Sequence, residues 1–119
     1  MVSGFPRRGE VYWVRFDPVV GAEMGKTRPA VIVQNDAGNA HSKTTIVATI
    51  SSRLPERPYP FLVPLAEGTL SRPSVVNCAH LRTIDMGRVV SRCVGRLDQD
   101  TMSRVDAALV ASLGVVVTP

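Results

Sequence analysis

The sequence predicts a mainly β domain: an antiparallel, strongly bent sheet or small barrel, followed by one amphipathic helix. Short segments rich in β-branched residues fill most of the chain, and turn residues separate them. These segments lie too close together for helical crossovers, which favours antiparallel pairing. Near the end, the apolar residues change to helical spacing. A length of 119 residues at 45% hydrophobic suits one domain, which we expect to cover residues 1–119.

The first three predicted strands precede residue 52. Residues 11–16 alternate between two faces and end at Asp17-Pro18. Residues 29–35 form the second strand, because a proline fits the first position of a strand, where its missing donor costs least. The third strand, 44–51, is rich in β-branched residues. Between the last two, residues 34–43 read as a turn.

The rest of the chain continues with short strands and ends in the helix. Residues 52–60 contain three prolines and are expected to form an exposed loop. Four more strand segments are predicted, at 61–65, 74–77, 80–84 and 93–97. The helix is expected over 101–113, with Asp98 as N-cap and Gly114 just past its end. The residues at helical spacing are Met102, Val105, Leu109, Ser112 and Leu113.

Composition limits the possible functions. The net charge is +4, and all but two of the 14 basic residues are arginines. Such a composition permits nucleic-acid binding without showing it.

The N-terminus lacks the apolar core of a signal peptide, and no apolar window is long enough to span a membrane. Cys78 and Cys93 fit no disulfide framework or zinc pattern, so we interpret them as buried thiols in a reducing cytoplasm. His41 and His80 belong to no ligand cluster, so no metal or cofactor is expected.

Polar residues at two strand ends are the candidates for chemistry. Arg28 precedes the second strand, and Thr49 and Ser51 share one face near the end of the third. If these strands pair as a hairpin, Arg28 lies close to Ser51, with the loop that carries Glu23 above them. A guanidinium, a hydroxyl and a carboxylate could then surround one phosphate. The alternative is a solvated surface arginine and an ordinary strand-end serine.

Several segments together resemble the MazF/PemK family of toxins. They are RRGEVYWVRFDPVVGAEMGKTRPAVIVQND, TTIVATISS, SVVNCAHLRTIDMGRV and VGRLDQDTMSRVDAALVASLG, in order, from about Arg7 to Leu113. The resemblance implies a small SH3-like antiparallel barrel with a C-terminal helix, assembled as a homodimer. It also implies a cytoplasmic, metal-independent and sequence-specific endoribonuclease that cleaves single-stranded RNA. A cognate MazE-like antitoxin is the implied protein partner.

The resemblance also implies roles for individual residues. Arg28 matches the catalytic arginine of the family, Ser51 its catalytic Thr or Ser, and Glu23 an acidic loop residue near the RNA. The implied reaction is attack of the ribose 2′-hydroxyl on the adjacent phosphate, which leaves 2′,3′-cyclic phosphate and 5′-hydroxyl ends. Glu23 and His80 are both candidates for the general base. The expected RNA contacts are Thr49, Ser52, Arg53, His80 and Arg82.

The chain departs from its relatives at Ala79 and His80, where many members carry an acidic residue followed by Gln. One branch uses that acid together with an arginine two residues earlier, and here the two positions are Ala79 and Asn77. The acid–base assignment of that branch therefore does not transfer. Two other interpretations stay open: a non-catalytic barrel toxin similar to the CcdB-like gyrase poisons, and a degenerate member that only binds RNA and antitoxin.

Two other side chains have more than one interpretation. Arg82 could bind RNA or antitoxin, pair with Asp85, or serve a dimer interface. Trp13 could stack a base, or lie in the core or a dimer interface.

Overall fold

The computed structural model describes residues 4–18, 20–22 and 26–117. Within these ranges, six strands form one sheet, and two helices and a 3₁₀ turn complete the chain. The strands are β1 (Glu10–Arg15), β2 (Thr27–Ile32), β3 (Thr44–Ser51), β4 (Leu62–Pro64), β5 (Val75–Asp85) and β6 (Gly95–Arg96). The helices are α1 (Asp36–His41) and α2 (Gln99–Leu113), and the 3₁₀ turn is Met86–Arg88.

The sheet is antiparallel throughout and curls into a half-barrel. Its strand order is β4-β5-β3-β2-β1-β6, so β4 and β6 are its two edges. The loop after β4 comes back over β6, and a Cβ built on Gly95 would lie 3.1 Å from Leu70 Cδ2. A side chain at position 95 would therefore press against the Leu70 side chain of this loop. The predicted class, a mainly β antiparallel fold with a C-terminal helix, is confirmed.

Both faces of the sheet are apolar because its strands alternate between two cores. Helix α2 covers the first core through Val105 and Ala108. The second core lies on the opposite face, without α2. The first core includes Val11, Val31, Ala48, Ile50, Val76 and Cys78; the second consists of Val14, Phe16, Ala30, Ile32, Val47 and Ile84. The candidate site lies on the face of the second core.

The turn predicted for residues 34–43 is wrong, because helix α1 occupies its centre. Asn35 caps the helix by accepting a hydrogen bond from Gly38 N at 2.8 Å, and Asp36 supplies a favourable charge in the first turn. Asn39 is buried and hydrogen-bonded to Gln34 and Thr45. These caps and the buried amide stabilise a helix of only six residues, whose length is too short for a visible apolar period.

Strand β5 runs through the break predicted at residues 78–79. Its register against β3 shifts there: Thr49 pairs with Asn77, while Ala48 pairs with Leu81. Residues 78–80 therefore form a bulge, in which Ala79 N donates to the Asn77 side chain at 3.0 Å. The sequence predicted the position of this irregularity but not the continuity of the strand.

Other boundaries differ by a few residues. The second strand begins at Thr27 and ends at Ile32, earlier than predicted, while Thr44–Ser51 is confirmed. Helix α2 begins at Gln99, directly after the confirmed N-cap Asp98, whose side chain accepts from Thr101 N. Gly114 adopts a left-handed conformation with φ of 67°, as expected for the residue that ends a helix.

Two predictions of burial are wrong. Cys78 is buried, but Cys93 is exposed, because it lies in the irregular segment just before the edge strand β6. Leu113, the last residue of α2, is 62% exposed and does not pack against the sheet as its spacing suggested. Among the described residues, no helix is both long and apolar enough to cross a membrane.

Candidate functional site

The hairpin predicted for the second and third strands is confirmed, and it defines the site. β2 and β3 pair antiparallel, with Ala30 opposite Thr49. Continuing this register by two residues, past the last recorded pair, brings Arg28 and Ser51 to facing positions at the open end of the hairpin. Paired residues share a face, as do residues two apart. Arg28, Thr49 and Ser51 therefore belong to one face, that of the second core.

Ser51 is held by the turn that follows it. Its Oγ accepts a hydrogen bond from Arg53 N at 3.0 Å, and Ser51 itself is half-buried. This bond uses a lone pair of the hydroxyl and leaves its hydrogen able to donate to a phosphate oxygen. The arrangement fixes the position of the hydroxyl without consuming its donor.

A cleft of about 340 Å³ lies on the same face as Thr49. It is lined by Phe16, Ala22, Thr49, Ala79, His80, Leu81 and Arg82. The structure thus brings together three of the predicted RNA contacts: Thr49, His80 and Arg82. They converge because β3 and β5 are neighbours and Arg82 pairs with Val47, two residues before Thr49.

Arg82 is positioned by Phe16 rather than by Asp85. Its Nη1 donates to the Phe16 carbonyl, and its guanidinium carbon lies 5.8 Å from the centroid of the Phe16 ring. The Asp85 carboxylate instead accepts from Gly87 N at 2.7 Å. The interpretation of Arg82 as a partner of Asp85 is therefore wrong, and Arg82 forms a fixed positive wall of the cleft.

His80 reaches the cleft because of the β5 bulge. A regular strand would place residues 78–80 in register with β3, whereas the bulge leaves Ala79 and His80 exposed. A bulge commonly re-aims a side chain next to a functional site.

Two of the predicted residues line other cavities, and a third is not among the described residues. Ser52 lines a larger cavity of about 640 Å³ that also includes Trp13, Arg28 and Arg72. Arg53 lines a separate hollow of the loop after β3, with Leu54, Pro55, Glu56, Arg57 and Tyr59. Glu23 lies outside the described residues, so its proximity to Arg28 stays a prediction.

A buried carboxylate stabilises the strand that carries Trp13 and Val14. Glu10 is 7% exposed and accepts from Arg7 N at 2.7 Å, Tyr12 Oη at 2.9 Å and Arg96 Nη2 at 2.8 Å. Burial raises the pKa of Glu10, but these hydrogen bonds more than offset it, and the pKa lies below its ordinary value. Burial and the bond to Glu10 raise the pKa of Tyr12. This group ties β1 to β6 and is structural.

The site contains cations, hydroxyls and an imidazole, and such groups can bind and polarise a phosphate. Arg28 and Arg82 supply fixed charge, and Ser51 and Thr49 supply hydroxyls. In the described part of the chain, no three His, Cys, Asp or Glu side chains group so that they could hold a metal ion. Sequence reasoning missed Phe16 as a wall of the cleft, and it missed Arg72. For Phe16, the available signal was the alternation of the first strand, which puts Phe16 on the same face as Val14 and opposite to Trp13. Arg72 had no sequence signal, because only the tertiary fold brings it near Arg28.

Comparison with known proteins identifies the class to which this fold and site belong. Residues 7–113 match the family described as PemK-like, MazF-like toxin of type II toxin–antitoxin system. The chain belongs to this family.

Individual relatives agree with that assignment. Endoribonuclease EndoA of Bacillus subtilis (strain 168) is 38% identical over 112 residues, covering 92% of this chain and 96% of the relative. The crystal structure of MazF from Deinococcus radiodurans superposes with a TM-score of 0.82 at 27% identity, covering 95% of this chain and 100% of that one. A mycobacterial endoribonuclease, solved in complex with its cognate antitoxin, gives 0.77 at 22% identity, covering 95% and 99% of the two chains; this likeness concerns the fold alone.

These findings confirm the family predicted from the sequence. They also confirm the predicted class, a toxin of this family that is homologous to an endoribonuclease over nearly its whole length.

Proposed function

We propose that this toxin is a metal-independent, sequence-specific endoribonuclease that cuts single-stranded RNA and so arrests translation and growth. The observation that carries the proposal is the β2–β3 hairpin, in which Ala30 lies opposite Thr49. Continued by two residues, this register would set Arg28 opposite Ser51. The relationship to EndoA supports the reaction class. The cleft beside Thr49, with His80 and Arg82 in its wall, supports a ligand that continues past the reacting phosphate.

The reaction is a transesterification at phosphorus. The ribose 2′-oxygen attacks the adjacent phosphate, the bond to the 5′-oxygen of the next nucleotide breaks, and the products are a 2′,3′-cyclic phosphate and a 5′-hydroxyl. Negative charge accumulates on the non-bridging oxygens in the transition state. Arg28 stabilises that charge, and the Ser51 hydroxyl donates to the same oxygens; removing such a donor typically costs about 10²–10³ in rate. DNA is not a substrate because it lacks the nucleophile.

Proton transfer needs a further group, because an arginine stays protonated. Glu23 and His80 are the candidates for the base that takes the 2′-hydroxyl proton. His80 is supported by its exposed position in the bulge at the cleft. In this scheme Thr49, Arg82, Ser52 and Arg53 contact the RNA around the reacting phosphate. Ala79 replaces the acid that one family branch uses, so the base must come from elsewhere than position 79.

The partners follow from the family. We propose a MazE-like antitoxin that blocks the RNA-binding face, since structural relatives are solved with a cognate antitoxin. We further propose that the toxin acts as a homodimer in the cytoplasm, where its RNA substrate is translated, and as a single domain over residues 1–119.

The experiment is cleavage of a long single-stranded RNA in excess EDTA, followed by mapping of both new ends. The purified wild type should cut at discrete positions and leave 5′-hydroxyl and cyclic-phosphate ends. Ser51→Ala and His80→Ala should lower the single-turnover rate, whereas Arg104→Ala, an exposed arginine on α2, should not. Intact RNA over many sequences, with a protein that still arrests growth, would support a non-catalytic toxin that acts on a protein target such as gyrase.

A further inference from the structure

A second cavity lies beside the site described above, on the other side of Arg28. It measures about 640 Å³ and is lined by residues of β1, β2 and β3, the loop before β5 and the segment before β6. Such a volume falls within the roughly 300–1,000 Å³ of typical ligand sites. It adjoins the candidate site directly, because Arg28 and Ser52 line it.

Trp13 is the main aromatic surface of this cavity. Its backbone is fixed, since Trp13 N donates to Ser91 Oγ at 2.9 Å and Val90 N donates to the Trp13 carbonyl at 2.9 Å. The residue is nevertheless 42% exposed, so the structure does not support the interpretation of Trp13 as a core residue. Pro29 and Val94 add apolar surface beside it. An exposed ring on a rigid strand is a stacking platform.

The charges around the cavity favour an anionic ligand. Arg28 and Arg72 line it, together with three serines, and no carboxylate is among the described residues that do so. The Ser74 hydroxyl donates to the Arg72 carbonyl at 2.9 Å, and Ser74 is 6% exposed. This bond fixes the backbone of Arg72 opposite β2. A ligand with one flat ring and one or two phosphates fits the two arginines and the indole.

We infer that this cavity is a nucleotide subsite, in which Trp13 stacks the base next to the scissile phosphate and Arg72 binds the following phosphate. The inference rests on the proposed function, because it places the RNA by reference to Arg28. Strand alternation puts Thr49 and its cleft on one face of the hairpin, and Trp13 and Pro29 on the other. The RNA therefore crosses the open end of the hairpin, with one nucleotide on each side of Arg28.

Trp13 is the single tryptophan of the chain, so its fluorescence reports the subsite directly. The wild type is titrated with mixed-sequence single-stranded 2′-fluoro RNA, which lacks the nucleophile and cannot be cut. The expected result is saturable quenching of Trp13. Trp13→Ala should weaken binding, measured by anisotropy of a labelled oligonucleotide, about five- to 150-fold, the equivalent of losing one stacked base at ~1–3 kcal/mol. Trp13→Phe should restore most of the affinity.

The phosphate contact has its own matched control. Arg72→Ala should weaken binding and lower the slope of log affinity against log salt by about one. Arg104→Ala removes an equal charge from α2, where Arg104 lines a different hollow, and should leave that slope unchanged. Thermal unfolding of each variant shows that the protein is still folded.

The outcomes separate this inference from the proposed function. Arg28-dependent cleavage with unchanged RNA affinity in folded Trp13→Ala would overturn the subsite and leave the ribonuclease standing. Quenching of Trp13 fluorescence by RNA, without any RNA cleavage, would overturn the ribonuclease and leave the subsite standing. A wild-type fluorescence change that follows protein concentration instead of RNA, together with loss of self-association in Trp13→Ala, would identify the cavity as a protein interface and also overturn the subsite.

Discussion

Replacing Asn39 by alanine should destabilise the hairpin that carries Arg28 and Ser51. Asn39 is 1% exposed. Its Nδ2 donates to the Gln34 carbonyl at 3.0 Å, and its Oδ1 accepts from Thr45 Oγ1 at 2.7 Å and from Gln34 Nε2 at 3.0 Å. These bonds join the end of β2, helix α1 and the start of β3. The hairpin therefore depends on one buried amide.

The magnitude follows from what the substitution leaves unpaired. Thr45 is 0% exposed, and its hydroxyl would lose its acceptor in the interior. Gln34 is half-buried, so water can replace part of its lost bonds. At about 1–3 kcal/mol for each buried polar group left without a partner, the free energy of unfolding should fall by about 2–4 kcal/mol.

Urea unfolding, followed by circular dichroism, measures this change as a shift of the midpoint at constant slope. His41→Ala is the control, because His41 is exposed in the same helix and should change stability by less than about 0.5 kcal/mol. In the Asn39→Ala/Thr45→Val double variant, both partners are removed, so the loss should be smaller than the sum of the two single losses. A loss under about 0.5 kcal/mol for Asn39→Ala, or strict additivity in the double variant, would refute the reasoning.

Three further predictions concern the rest of the fold. The lowered pKa of Glu10 means that its charged form stabilises the folded state above the ordinary carboxyl pKa of 4.5, and that this stability is lost as pH falls below it. Glu10→Gln should therefore flatten the acid side of a pH–stability curve, and an unchanged slope between about pH 5 and 3 would contradict this linkage. Cys93 is exposed, whereas burial raises the pKa of the Cys78 thiol to about 11. A thiol reagent should therefore modify only Cys93 in the native protein and both cysteines in urea. Rapid labelling of Cys78 in the native protein would show that the core around it opens readily. Asp98→Ala removes the N-cap of α2 and should cost about 0.5–2 kcal/mol of stability in thermal unfolding; an unchanged melting temperature would show that packing alone sets the start of the helix.

Local patterns predicted the elements whose signal lies within a few residues. The β-branched run of β3 and the capping residues of α2 were both located correctly. Helix α1 was missed because its stability comes from the capping bond of Asn35 and the buried hydrogen bonds of Asn39, not from periodicity. The bulge in β5 was seen only as a break, because its continuity depends on pairing with β3 and β4.

Part of the candidate site could be predicted from the sequence, and part of it could not. Arg28 and Ser51 could be paired from sequence, because a hairpin relates neighbouring strands by a simple register. The cleft around His80 and Arg82 could not be assembled in this way, since it needs the β3–β5 register and its shift. No sequence pattern predicted the position of Arg72, because this residue comes from a loop that folds back over the sheet.

The most direct test of the central claim uses one RNA that spans a mapped cleavage position. Single-turnover cleavage in EDTA is compared for the all-ribose substrate and for one with a single 2′-deoxyribose at the cleaved nucleotide, with wild type, Arg28→Lys and Arg28→Ala. We expect the deoxy substitution to abolish cutting at that position alone. Arg28→Ala should lower the rate about 10²–10³-fold, and Arg28→Lys, which keeps the charge without the planar fork, should recover only part of it. Normal cleavage of the deoxy substrate, or a wild-type rate in Arg28→Ala, would contradict a 2′-hydroxyl attack stabilised by Arg28.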